Sequence, residues 1–139
     1  MADYLQFHFN LHDPEASSKT LIVNDSETEY IAHAFIKVPI YSNSNNIKIG
    51  YKVSDDYIQQ LGLNLYSVRI SSTYNFLDGS SISWQFSFLN DKPNYYYPLN
   101  VCNASNIVST TGKYFGKTGI VSLIARNDGR RDVTIGFNF

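Results

Sequence analysis

Ile82-Ser83-Trp84-Gln85-Phe86-Ser87-Phe88 alternates large apolar and small polar residues without a break. Successive side chains of a β-strand point to opposite faces, so this stretch has one apolar face and one wet face. The same period runs through Leu5, Phe7, Phe9 and Leu11, with Gln6, His8 and Asn10 between them. It recurs in Val133, Ile135, Phe137 and Phe139, and in Ile47, Ile49, Tyr51 and Val53, where Lys48 and Lys52 are expected to point the other way. Strands with one wet face belong to antiparallel sheets, because parallel strands covered on both sides read as continuous apolar runs.

Weaker strand signals fill the intervals: Thr20 to Val23, Tyr30 to Ile40, Leu65 to Tyr74, Ile107 to Ser109 and Ile120 to Ala125. Ala32, Ala34, Ile36, Val38 and Ile40 share one face of the second of these, and Pro39 marks it as an edge or a strand end. Asp78-Gly79 and Asn127-Asp128-Gly129 read as hairpin loops with Gly in a positive-φ position, and residues 42–46 form another tight polar connection. One stretch looks helical. In residues 54–62, Ser54 suits an N-cap, Asp55 and Asp56 the positive end of the helix dipole, and Gly62 the exit. The pattern predicts an all-β fold over residues 1–139 as a single domain. The expected architecture is an antiparallel two-sheet β-sandwich, jelly-roll-like, with about eight or nine strands and at most that one short helix.

The totals agree with strands and exclude several function classes. The 139 residues are 43% hydrophobic, 15% aromatic and 17% charged, with a formal net charge of −1. Aromatics favour pleated, half-buried surfaces. Nucleic-acid binding needs a basic footprint, and no run of Lys or Arg supplies one. A single cysteine, Cys102, makes no internal disulfide. No apolar stretch reaches the length of a transmembrane helix, and Met1-Ala2-Asp3-Tyr4 opens no signal peptide. Cytoplasmic synthesis is the expectation, with non-classical release as the alternative.

The most suggestive segment is 90–100, in which Tyr95, Tyr96 and Tyr97 stand between Pro93 and Pro98 and are flanked by Asn94 and Asn100. Three successive tyrosines cannot all enter one core, and exposed Tyr beside Asn is the chemistry of adaptable recognition. The competing reading is that this loop folds over one end of the sandwich and seals it. A second candidate is the tip at Asn127, Asp128 and Arg130, where a guanidinium could take a carboxylate or glycan, although the turn alone accounts for Asn, Asp and Gly there. His8, His12 and His33 form no zinc pattern, and no nucleophile elbow, HExxH or phosphate loop is present. No catalytic residue, metal or cofactor is therefore expected.

Val133, Ile135, Phe137 and the last Phe139 resemble the closing strand of bacterial outer-membrane barrels, but strands here are too short for that architecture. The final hairpin is similar in a general way to those of small soluble β-sandwich lectins and toxins. These readings give a non-enzymatic recognition module, lectin-like, binding a glycan or cell-surface ligand through the aromatic loop. The alternatives are a structural or assembly subunit that self-associates as a homo-oligomer, of the viral or phage kind, and a cell-surface-binding toxin component.

Overall fold

The computed structural model describes residues 3–26, 28–92 and 99–138. Nine strands occupy them: β1 (Tyr4–Asn10), β2 (Ser17–Asn24), β3 (Ile31–Ser42), β4 (Lys48–Gly62), β5 (Leu65–Phe76), β6 (Ser81–Asn90), β7 (Cys102–Thr111), β8 (Gly119–Ala125) and β9 (Arg130–Phe137). All join one antiparallel sheet in the order β1-β9-β8-β7-β6-β5-β4-β3-β2. Phe7 also pairs with Ser42 and His8 with Tyr41, so β1 meets β3 as well as β9. Eight strands thereby close into a barrel, and β2 is an extra strand held by β3.

The closed ring corrects the expectation of a two-sheet, jelly-roll-like sandwich. Sandwich and barrel strands share the same two-residue period, so alternation cannot tell them apart. What decides between them is the second partner of β1, a contact far apart in the chain.

The ring is filled, as narrow barrels are, by inward side chains. Phe7 and Phe9 of β1, Val38 and Ile40 of β3, Tyr74 of β5, Ile82 and Trp84 of β6, Val121 and Leu123 of β8, and Val133 and Ile135 of β9 pack into one cluster. Burying each large side chain contributes about 2 kcal/mol. Trp84 Nε1 donates to Tyr74 Oη at 3.1 Å within this core, and Phe7 meets Tyr74 edge-on at 4.9 Å. The wet positions of β5 and β6 carry Ser71, Thr73, Ser83 and Gln85, cross-linked by hydrogen bonds from Thr73 to Ser83 and from Gln85 to Ser71. This apolar-inside arrangement is the reverse of the outward apolar band of a membrane-spanning barrel. No helix among the described residues is long and apolar enough to cross a membrane.

Two local readings change with the ring. Residues 54–62, expected as a helix, are the second half of β4, paired along their length with β3 and β5. Capping residues favour a helix only while nothing longer-range competes, and two flanking ladders outweigh one or two isolated turns. The weak strand expected at Ile107 to Ser109 is the middle of the ten-residue β7. Pro39, by contrast, suits its place. It falls between Lys37, which pairs with β2, and Tyr41, which pairs with β1, an interval where neither ladder asks for its missing amide hydrogen.

Antiparallel order brings the connections β2–β3, β4–β5, β6–β7 and β8–β9 to one end of the barrel. The opposite end carries the tight turn at Asp78-Gly79, with Gly79 at φ +89°, and a one-turn 3-10 segment, Gly112–Tyr114.

Candidate functional site

Along β4 the buried positions are Gly50, Lys52, Ser54, Asp56, Ile58 and Gln60. They form one inward row, so Lys52 faces the barrel interior while Ile47 and Val53 are exposed. This reverses the face expected from Ile47, Tyr51 and Val53, while Ile49, at the register shift opposite Ile40 and Tyr41, does pack against the core as expected. Gly50 begins this row and Ile58 continues it, with Gly50 opposite Phe76 and Ile58 opposite Val68 on β5.

The polar part of this row joins polar groups from other walls. Ser54 pairs directly across the ladder with Ser72 of β5, and Ser72 with Trp84 of β6. Lys52 Nζ sits 4.8 Å from the centre of the Phe9 ring, and Phe9 is paired with Arg131 of β9. Lys52, Asp56 and Arg131 are all buried, at 6%, 2% and 7% exposure. Burial pushes the Lys52 ammonium down to about 8; Asp56 pulls it up and Arg131 pushes it further down. Burial likewise pushes the Asp56 carboxyl up to about 6, against the pull of Lys52.

Several donors in this interior are unmatched. Ser72 Oγ and Asn103 Nδ2 are buried and meet no hydrogen-bond partner among the described residues. Ser54 Oγ lies close enough to help hold the Asp56 carboxyl down, yet short of hydrogen-bond geometry. Beyond Asp56, Ile58, Val68 and Ile70 form a small apolar cluster with Tyr30, Tyr66 and Phe88 against it. Gln60 Oε1 accepts from the Tyr30 amide at 3.1 Å and anchors the start of β3 there.

Of the residues singled out from sequence, Asn100, Asn127, Asp128 and Arg130 are among those described. Asn94, Tyr95, Tyr96 and Tyr97 lie outside the described residues. Asn100 is exposed, with φ +61°, and its amide donates to Ala125 O at 2.8 Å. Arg126 Nη1 donates to Asn100 Oδ1 at 2.8 Å, which ties the long β6–β7 connection to the tip holding Asn127 and Asp128. That tip is a single 3-10 turn, Asn127–Gly129, with Asp128 at φ +61° and Gly129 at φ +81°. Arg130, expected as a ligand donor, directs Nε to Asp132 at 2.9 Å, and Arg126 Nε reaches the other oxygen at 3.0 Å. Although partial burial opposes it, these two hydrogen bonds hold the Asp132 carboxyl below its usual range. The two candidate loops therefore meet, but Arg130 serves the turn itself.

The interior polar group was missed because Lys52 looked like the wet face of a strand, Ser54 and Asp56 like the first turn of a helix, and Arg131 like part of a charged hairpin tip. A signal did exist: Lys52, Ser54 and Asp56 are in phase with Ile58, and Arg131 with Val133, Ile135 and Phe137. The described residues contain no group of three or more His, Cys, Asp or Glu that could hold a metal ion.

No family model matches the chain. No curated protein matches it either. Among solved structures it is similar to the pterocarpan synthase dirigent protein GePTS1, at TM-score 0.57 and 16% identity over 99% of this chain and 86% of that one. It is also similar to the pterocarpan synthase dirigent protein PsPTS1, at TM-score 0.59 and 14% identity over 99% of this chain and 93% of that one. The fold is that of the dirigent barrels. At these identities the likeness concerns fold alone, and it corrects the sandwich-based terms of the sequence reading. Sandwich and jelly roll do not describe this barrel, and these neighbours give no support to a lectin or a toxin component.

Proposed function

We propose that this chain is a non-enzymatic recognition barrel that takes a small organic molecule into the end framed by the β4–β5, β6–β7 and β8–β9 connections. The observation that carries this reading is the buried polar group inside a closed ring: Lys52, Asp56 and Arg131 with the unmatched Ser72 Oγ and Asn103 Nδ2. Burying charges and unpaired donors costs several kcal/mol, and such groups persist where a ligand engages them. Apolar walls with a few convergent polar groups are the usual composition of small-molecule sites. The names of the dirigent neighbours, which are pterocarpan synthases, lend support to a small organic ligand over a glycan.

The opposite end is the weaker choice. It holds an open cavity of about 340 Å³ lined by Leu5, Ile49, Leu77, Tyr114 and the cations Lys48 and Lys113. Lys48 is already paired with Glu15 at 2.8 Å and Lys113 with Asp78 at 3.0 Å, so little polar capacity faces that cavity.

A second reading, catalysis, has one specific observation in its favour. Asp56 near 6 and Lys52 near 8 bracket neutral pH, the range in which a buried pair can exchange protons with a bound molecule. Thermal-shift screening of small phenols and aromatic acids, followed by chromatography of each stabilising compound after incubation, separates these readings. Stabilisation with the compound recovered intact supports recognition. Stabilisation with conversion supports catalysis, and no stabilisation by any compound counts against both.

A further inference from the structure

β2 stands outside the ring and has a strand partner on one side only. Its ladder is with β3, and none of its amides or carbonyls makes another backbone hydrogen bond among the described residues. An open edge of this kind is a template for a further strand. Charged residues are the usual guard of such an edge, yet the middle of this one is apolar: Leu21, Ile22 and Val23 are 53%, 49% and 60% exposed. Leu21 and Ile22 point to opposite faces, so the edge is apolar on both sides at that point.

The residues around that triplet are chemically the same read in either direction. Reversing residues 18–26 about Ile22 sets Leu21 against Val23, Thr20 against Asn24, Lys19 against Asp25 and Ser18 against Ser26. Antiparallel pairing of two copies across a twofold axis performs that reversal. Lys19 and Asp25 are both exposed, and neither has an ion-pair partner among the described residues of its own chain. Lys48, Lys113 and Lys117, by contrast, are held by Glu15, Asp78 and Asp3. The ladder to β3 slips at Val23, and the twofold sets the two slips symmetrically on either side of Ile22.

We propose that β2 pairs with β2 of a second copy of this chain, antiparallel about a twofold axis at Ile22, to give a homodimer. The two Ile22 side chains and the opposed Leu21 and Val23 exclude water at the centre, and Lys19 meets Asp25 of the other copy on each flank. Apolar pairs facing one another across a ladder stabilise it, and opposite charges facing across it set the register. A twofold interface closes on itself, so assembly stops at two copies. The interface uses no residue of the interior polar group and stands independently of the recognition reading.

Sedimentation velocity of the full chain over a concentration series, alone and with three exposed-site variants, tests it. The wild type is expected to pass from monomer to dimer as its concentration rises through the micromolar range. Ile22→Lys sets two ammonium groups on the axis and is expected to weaken the dimer by about tenfold or more. Lys19→Asp faces Asp25 with a second carboxylate, and Asp25→Lys faces Lys19 with a second ammonium, so each alone is expected to weaken the dimer as well. Mixed in equal amounts, these two variants are expected to recover wild-type dimerisation, because each copy then offers the charge that the other lacks. A monomer at every concentration overturns the proposal, and so does a trimer or larger assembly. A dimer that Ile22→Lys leaves unchanged is built on another surface and overturns it too, as does a mixture that associates no more tightly than its components.

Discussion

Arg126 Nη1 donates to Asn100 Oδ1 across 2.8 Å, and the same guanidinium donates through Nε to Asp132 at 3.0 Å. One side chain thus links the end of the β6–β7 connection, the β8–β9 turn and the start of β9. Leu99 and Ala125 form a parallel bridge beside it, so the connection is fastened to the rim of the barrel by backbone and side chain together.

Arg126→Ala is expected to loosen that fastening with little change in global stability. Both bonds are half-exposed, which limits their worth to about 1 kcal/mol in total. Amide hydrogen exchange at Asn100, whose N–H is held by Ala125 O, should accelerate by about tenfold while the strand amides of β8 and β9 stay protected. Unchanged exchange at Asn100 would show that the backbone bridge alone holds the segment.

Tyr74→Phe removes one oxygen from the core and strands the Trp84 indole N–H, which is buried at 1% exposure. An orphaned buried donor costs about 2 kcal/mol. Urea denaturation followed by Trp84 fluorescence, the chain's one tryptophan, should show a lower midpoint at an unchanged slope. A loss below about 0.5 kcal/mol would mean that the indole finds another acceptor.

Gly50→Ala probes the tightest approach between β4 and β5. A Cβ at Gly50 would lie 2.0 Å from Asn75 O and 2.9 Å from Phe76 Cα, both backbone atoms that cannot rotate away. The two strands must separate there, at a cost of about 3 kcal/mol. Gly62→Ala, where nothing lies within 4 Å, is the matched control and should change stability by less than about 0.5 kcal/mol. Equal effects at the two positions would contradict this account of the ladder.

Asp56 gives the fold an unusual response to acid. Its carboxyl binds a proton near pH 6 in the folded state and near 3.8 in the unfolded one. Between those values the folded state holds more protons, so stability from this group rises as pH falls and is lost as pH climbs through about 6. Lys52 acts at the other flank, where stability grows as pH rises from about 8 towards 10.5. Thermal melts of wild type and Asp56→Asn from pH 7 to pH 4 should therefore diverge, with wild type gaining about 2 kcal/mol on the variant. Parallel curves would place the Asp56 carboxyl in a far wetter setting than its burial implies.

The strands were largely legible because period-two alternation is local. Phe7, Phe9, Trp84, Val133 and Ile135 declare their inward face with no help from the fold, and Gly79, Asp128 and Gly129 mark turns through backbone conformations that few other residues accept. The same logic misled at β4, where apolar Ile47, Tyr51 and Val53 outvoted Lys52 for the inward face. A hydrophobic count cannot recognise a polar interior, since that depends on what the opposite walls bring to meet it. Residues 54–62 failed for a related reason, because capping chemistry speaks for a helix and the two ladders that overrule it come from distant segments.

Local patterning thus encodes an antiparallel all-β chain, the inward faces of most strands and the places where it turns, each within a few residues. Tertiary structure alone decided that β1 closes the ring on β3, that Asn100 meets Arg126, and that Lys52, Asp56 and Arg131 share one buried space. Those are relations between segments far apart in the chain. They are set by barrel closure, which local alternation permits equally well in a sandwich.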